Sequence, residues 1–415
     1  MPTGIATVVQ QRYAEALKMK PLAANQWLCD GLKEAADRES AAKLAKLPAS
    51  DWEAVMQQAI RHGVAPLLYH RLEPFRSSYL IPDEMWQKLH HIYLQSAGRN
   101  VRQFHQLTDI LALLQRHKIP VVVLKGAHLA EIVYGDIALR PMTDIDLLFQ
   151  QNNLAAAQKR LLAAGYLAQK HKFPVLDLHS RLDDSLAEIK IDMAEVWQRA
   201  EPATIAGVQV LVLAPEDLLL HLCLHLAFHH LFQFAGLRAL CDIAETIRCY
   251  RAQLQWAQVE TRAKQWQAGN AVYLALSLAK DLVGAQVPDN VLTNLTPYEI
   301  TPQVQTWAIT QIFQEGYNAP PLSPYFVQLW QAGPLQQKLF LLRRLIFPSS
   351  QTVTQKYPVI LGSTQNYLYY FIRVKDHFVR YGRTTWRILT GDQNTISWIK
   401  QQQRNMAIMK WLSSD

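Results

Sequence analysis

The sequence predicts an α+β fold in which a short mixed β-sheet is flanked by helical regions, and three observations carry this. A β-branched run at Val121–Leu124 is bounded by Pro120 and Gly126, as expected for a short strand buried on both faces. Asp144-Ile145-Asp146 runs directly into Leu147, Leu148 and Phe149, which reads as a second strand. Most of the remaining chain spaces its apolar residues three and four apart, the period of amphipathic helices.

Taken in order, the first hundred residues are helical in pattern. The stretches LCDGLKEAADRES and PASDWEAVMQQAIRHGVAPLLYHRLEP both show the helical spacing, with Ser50 or Asp51 as the expected N-cap of the second. The pattern continues through 84–118. After Val121–Leu124 the turn Lys125-Gly126-Ala127 opens a helix, and a basic loop leads into the aspartate strand. NNLAAAQKRLLAAGY (152–166) follows as a helix, with Asn152 or Asn153 as cap and Gly165 as stop. In SLAEIKIDMAEVW, Glu188, Lys190 and Asp192 alternate with Ile189, Ile191 and Met193, which predicts a third strand. From Pro215 the helical period returns and runs through Tyr250. YNAPPLSPY (317–325) is the clearest linker. The expected regions are helical 1–90, a catalytic core at 91–210, helical 211–316, and a basic, aromatic-rich helical region at 317–415.

Composition narrows the class. A chain of 415 residues, 50% hydrophobic and 18% charged, has the makeup of a globular protein with sizeable cores. No stretch approaches the length of a membrane span, and the first residues lack a basic segment followed by an apolar run. Four scattered cysteines, Cys29, Cys223, Cys241 and Cys249, do not make a disulfide framework, so the expectation is a cytoplasmic protein. The formal charge of +8 is uneven: from Pro334 onward twelve Lys and Arg face three Asp, a balance of +9. Tyr367, Tyr369, Tyr370, Phe371, Phe378, Tyr381 and Trp386 lie among these cations. Such a tail suits an anionic partner such as RNA, another polyanion or a membrane surface, or else is a solvated closing helix.

The chemistry lies at the aspartates. Side chains alternate across a strand, so Asp144 and Asp146 share one face while Ile145 turns into the core. Two ionised carboxylates side by side repel unless a cation sits with them, and for an all-oxygen site that cation is Mg²⁺, with Mn²⁺ as an alternative. Nucleotidyl transfer needs two such ions held by carboxylates from adjacent strands. Asp144 and Asp146 would hold both, and Asp192 on the neighbouring strand would be the third carboxylate, taking the proton from the attacking hydroxyl. The Lys125-Gly126-Ala127 turn is the expected phosphate cradle, with Lys125 and Arg140 as cationic partners of a triphosphate. As an exposed ion pair, Arg140 would instead meet Asp136 or Glu131. His221, His225 and His229 sit four apart on one helix face. With no glutamate between them and no fourth ligand, the spacing reads as packing or acceptor contact rather than zinc.

LKGAHLAEIVYG followed by ALRPMTDIDLLF resembles the glycine turn and Asp-x-Asp signature of the DNA polymerase β-like nucleotidyltransferases. More narrowly, WEAVMQQAIRHGVAPLLYHRL, APEDLLLHLCLHLAFHH, LRALCDIAETIR and LLRRLIFPS resemble segments of the uncharacterised nucleotidyltransferase group abbreviated NTP_transf_5. The resemblance touches most of 50–350. It implies a polymerase β-type core, Gly126 in the phosphate turn, and Asp144 and Asp146 as metal ligands. Two departures stand out. Ala127 occupies the place of a common serine, and Ala194 that of a histidine after the third carboxylate. The activity implied is transfer of a nucleoside monophosphate, AMP from ATP by default, to a hydroxyl or phosphate acceptor with release of pyrophosphate. The alternatives are a non-catalytic nucleotide-binding scaffold and an RNA 3′-end nucleotidyltransferase that docks through the basic tail.

Overall fold

A computed structural model of the chain describes residues 20–34, 44, 47–76, 81–167, 175–182, 189–233, 236–297, 302–314 and 407–413. The chain divides into two compact units, Met1–Gln314 with Trp411–Asp415, and Glu315–Lys410. Nearly all of the second, including the predicted linker and the basic aromatic tail, lies outside the described residues.

Among the described residues the first unit begins with α1 (Lys20–Leu32), α2 (Ala49–Arg61) and α3 (Ala65–Leu72). Helix α2 begins one residue before Ser50, because the Pro48 carbonyl accepts the N–H groups of Asp51 and Trp52, and neither Ser50 nor Asp51 is its cap. The long α4 (Asp83–Arg116) follows and delivers the chain to strand β1 (Val122–Val123). The short helix α5 (Lys125–His128) runs into a π-turn at Leu129–Val133, and then come β2 (Asp144–Leu148), α6 (Gln151–Ala163) and β3 (Val175–His179). Helix α6 starts at Gln151, which puts Asn152 and Asn153 inside its first turn rather than at the cap. Gly165, with φ of +84°, turns the chain after it.

The remaining strands, β4 (Glu201–Ile205) and β5 (Val208–Val212), form a hairpin. Its two turn residues, Ala206 and Gly207, both have positive φ, as a two-residue hairpin turn requires. Ala206 tolerates this because its N–H donates to Glu131 Oε2 at 2.8 Å and its carbonyl accepts from Thr108 Oγ1 at 2.9 Å. Among the described residues the unit also holds helices α7 (Met193–Arg199), α8 (Pro215–Leu224), α9 (Gly236–Cys249), α10 (Trp256–Gln265), α11 (Gly269–Val283), α12 (Asp289–Leu295) and α13 (Pro302–Phe313).

The five-stranded sheet has the order β3-β2-β1-β5-β4. It is mixed: β2 pairs parallel with β3 and antiparallel with β1, while β1 pairs parallel with β5. With the helices around it, this makes the α+β fold with a short mixed sheet that the sequence predicts. One sheet face is dry. Ile145, Leu147, Val121 and Val123 pack there against Phe104, Leu107, Ile110, Leu111 and Leu114 of α4 and against Ala157 and Leu161 of α6. Burying a row of such side chains contributes roughly 1.5–3 kcal/mol each. The opposite face of β2 carries the aspartates. Among the described residues no helix is long and apolar enough to cross a membrane.

Candidate active site

The alternation of β2 places Ile145 in the core at 1% exposure and sends Asp144 and Asp146 to the other face. Their environments differ. Asp146 is buried and lies 2.9 Å from His179 Nε2 and 3.3 Å from Lys125 Nζ. Burial works against its charge, but His179 and Lys125 outweigh it and hold its carboxyl well below the usual range. Asp144 is pushed the other way, upward, by burial and then by the Asp146 charge. Among the described residues its hydrogen bond comes from Thr143 Oγ1 at 3.2 Å. Two carboxylates whose affinities for a proton are driven apart mark a site arranged for a cation or a proton.

The third carboxylate beside this pair is Asp177. In the parallel register of β2 and β3, Asp146 faces Asp177 and Leu148 faces His179. One ligand atom from each of Asp146, Asp177 and His179 lies within 4.8 Å of the others. The strand expected through Ile189–Met193 does not form. Lys190 N–H donates to the Trp266 carbonyl at 3.1 Å instead of to a sheet neighbour, and a helix starts at Met193. Asp192 is exposed at its N-cap and accepts from the N–H groups of Ala194 at 2.8 Å and Glu195 at 3.4 Å. Aspartate at an N-cap is locally favourable, and here that preference prevails over the alternation. The signal for β3 is present in Val175–His179, where Asp177 and His179 alternate with Leu176 and Leu178.

Lys125, Gly126 and Ala127 sit where β1 gives way to α5. Lys125 has φ of +31°, a strained conformation for a residue with a side chain, and its ammonium is turned to Asp146. Gly126 lines the cavity described below, whereas Ala127 is in the core with its side chain away from it. A serine at that position would therefore be buried under the sheet. A Cβ added at Gly126 would meet Arg140 Nη1 at 3.4 Å and Met142 Cγ at 3.5 Å, ordinary contacts, and the glycine has no positive φ. What its bareness provides is close approach by a ligand. Gly126→Ala is therefore expected to leave the thermal midpoint unchanged and to weaken binding of a nucleoside triphosphate about tenfold or more, ~1.4 kcal/mol. Equal affinity in a titration would show that phosphates do not approach this turn.

Arg140 meets neither Asp136 nor Glu131. Its Nε and Nη2 donate to both carboxylate oxygens of Asp242 at 3.0–3.3 Å, and Tyr134 Oη donates to the same carboxylate at 2.8 Å. Its loop is held from α4: Asn100 Nδ2 donates to the Arg140 carbonyl at 2.8 Å, and Gln103 Nε2 to that of Met142 at 3.2 Å. With Arg140 so fixed, its Nη1 faces Gly126. Asp242 comes from α9, far along the chain, and nothing in the local pattern of the sequence points to it.

These groups open onto one cavity of about 260 Å³ between the β2–β3 face and α8–α9. Lys125, Gly126, Arg140, Asp144, Asp146, Asp177 and His179 line it from the sheet side. Arg238, Asp242, His225, His229 and His230 close it from the helices. Asp192 is not part of it. Three cations and four carboxylates in so small a space suit a phosphorylated ligand accompanied by a metal ion. Comparison with curated proteins and with solved structures returned no match. The family of description "Uncharacterised nucleotidyltransferase" matches residues 48–284, a span that takes in all five strands and every residue of the cavity. That match covers more than half of the chain and agrees with the Asp-x-Asp strand and glycine turn facing one cavity, so the protein belongs to this nucleotidyltransferase family.

Proposed function

We propose that the cavity binds a nucleoside triphosphate, ATP in the first instance, and that the protein transfers its NMP to a hydroxyl or phosphate acceptor. The acceptor oxygen attacks the α-phosphorus, the bond from that phosphorus to the bridging oxygen breaks, and pyrophosphate leaves. The observation that carries this is the meeting of Asp144, Asp146 and Asp177 with the Lys125–Gly126 turn and Arg140 in one enclosure.

A metal fits the donor set. The lining holds Asp144, Asp146, Asp177 and Asp242 against Lys125, Arg140 and Arg238, four negative charges to three positive, so a triphosphate alone would meet a surplus of carboxylate. Asp146, Asp177 and His179 are close enough to share an ion, and Asp144 adds oxygen donors. Two carboxylates with an imidazole suit Mn²⁺ as well as Mg²⁺. Two such ions, held on Asp144, Asp146 and Asp177, would neutralise charge on the α-phosphate and on the leaving pyrophosphate.

The chain's own groups supply position and field. Gly126 admits the phosphates, and Arg140, anchored by Asp242, directs Nη1 toward them. Lys125 adds a point charge from the same turn. Asp177, the most exposed of the three carboxylates, would take the proton of the attacking hydroxyl.

Pyrophosphate release from each NTP with Mg²⁺ or Mn²⁺, with and without cell extract as a source of acceptor, tests the reading. Release is expected to fall at least about 10²-fold in Asp177→Asn. In Asp192→Ala it is expected to persist, with about 1 kcal/mol lost from the α7 cap. The reverse pattern would return the third carboxylate to Asp192. Binding of NTP with no release under any condition would favour the non-catalytic scaffold.

A further inference from the structure

Across the cavity from the aspartates, the end of α8 does something the spacing of its histidines does not foretell. On an α-helix, His221, His225 and His229 share a face, and His230 points away because five residues at 3.6 per turn make about 1.4 turns. Here α8 passes into a π-turn at His225–His229, and the His230 N–H donates to the His225 carbonyl at 3.0 Å. An i→i+5 hydrogen bond widens the turn beyond the 3.6 residues of an α-helix, so i+5 comes back toward the face of i. The three rings consequently meet. The His225 and His229 rings stack at 4.6 Å, the His230 ring stands edge-on 4.4 Å from His225 and 5.0 Å from His229, and His221 stays behind at 6.0 Å from His225.

One ring nitrogen from each of His225, His229 and His230 lies within 4.8 Å of the others. A tetrahedral ion with metal–nitrogen bonds near 2.0–2.1 Å needs these atoms about 3.3 Å apart, a closure that side-chain rotation provides, since His229 is exposed and the others half-buried. The backbone just beyond is held in an uncommon form. Leu231 and Phe232 have φ of +49° and +60°, and Phe232, fully buried, fixes the segment by donating its N–H to the Leu226 carbonyl at 3.0 Å. Strain of this kind persists where surrounding structure imposes it, and it clusters at sites.

We propose that His225, His229 and His230 form a three-imidazole site for a transition-metal ion of the Zn²⁺ class, with its remaining coordination position open to the cavity. The donors separate it from the carboxylate site: three imidazoles with no carboxylate favour Zn²⁺, Co²⁺ or Ni²⁺, whereas a set of carboxylates with the single imidazole of His179 suits Mg²⁺ and Mn²⁺. Three protein ligands with one open position is the arrangement of zinc that binds an exchangeable oxygen, so the ion would hold a water or an acceptor hydroxyl facing the β2–β3 carboxylates. The site does not require nucleotide transfer to exist.

The full-length chain, stripped with a chelator and titrated with Co²⁺, tests it through the visible absorption that a four- or five-coordinate Co²⁺ ion acquires. One Co²⁺ per chain is expected at micromolar affinity, displaced by Zn²⁺ and indifferent to excess Mg²⁺. His229→Gln and His230→Gln should each weaken it at least about tenfold, while Asp146→Asn retains it. His229 is exposed, so its variant keeps the fold, as circular dichroism would verify. Absence of the bands up to about 1 mM Co²⁺, bands that survive both histidine variants, or bands lost in Asp146→Asn would each overturn the site. None of these readings depends on pyrophosphate release.

Discussion

Asp146→Asn is expected to reduce pyrophosphate release by about 10³-fold or more, and Asp144→Asn to do nearly the same, while the two variants part in stability. A neutral amide keeps the shape of the carboxylate but removes the charge that the proposed reaction uses to hold a divalent ion, and losses at such positions reach this size. Asp146 also serves the fold, because Lys125 and His179 both lean on it at 12% and 16% side-chain exposure. Its amide leaves the Lys125 ammonium without a full charge partner, so the melting midpoint should fall. Asp144 has the opposite balance: burial and its neighbour raise its proton affinity, so neutralising it relieves repulsion, and the midpoint should hold or rise. Pyrophosphate release and thermal unfolding on the same preparations check both halves. Undiminished turnover in either variant would sink the carboxylate-pair mechanism, and a drop in midpoint for Asp144→Asn would contradict the account of its environment.

Asp242→Ala should be the most destabilising change near the site, by about 3–5 kcal/mol. The carboxylate is 4% exposed and receives two donor atoms from Arg140 and the Tyr134 hydroxyl, so deletion strands a guanidinium at 11% exposure and a buried phenol together. Breaking one side of a buried ion pair costs far more than the pair contributes, because the charge left behind has lost both water and partner. Asp242→Asn keeps an acceptor for Tyr134 and should lose less. Urea unfolding measures both, and a loss below about 1 kcal/mol in Asp242→Ala would mean that Arg140 finds another partner. Weaker binding of a triphosphate should accompany the change, since Arg140 would no longer be held toward Gly126.

Much of the helical framework is legible in the amino-acid pattern. Helix α4 spans Asp83–Arg116 against the expected 84–118, and α5 begins at Lys125, where the pattern places the turn that opens a helix. The hairpin β4–β5 is harder to read, although alternating Val208, Val210 and Val212 follow Ala206-Gly207, because alanine is an uncommon residue for a positive-φ turn. At the site, the sequence singles out Lys125, Gly126, Arg140, Asp144 and Asp146, which meet at one cavity, while Ala127 lies in the core and Asp192 caps α7. Asp177 stands in the same segment as Asp192, and the choice between them turns on which of two short alternating runs pairs with β2.

What the sequence by itself determined is the direction of side chains within an element. Strand geometry obliges Asp144 and Asp146 to share a face whatever surrounds them, and helix geometry makes the apolar residues of α4 one stripe. Tertiary structure alone decided which elements meet. Asp242 reaches Arg140 across 102 positions and His179 reaches Asp146 across 33, and no periodicity records such pairings, because they follow from how helices pack on the sheet and not from the repeat of the backbone. The π-turn belongs with them: one altered hydrogen bond in α8 exchanges His221 for His230 beside His225 and His229, a change of face that a regular 3.6-residue period cannot express.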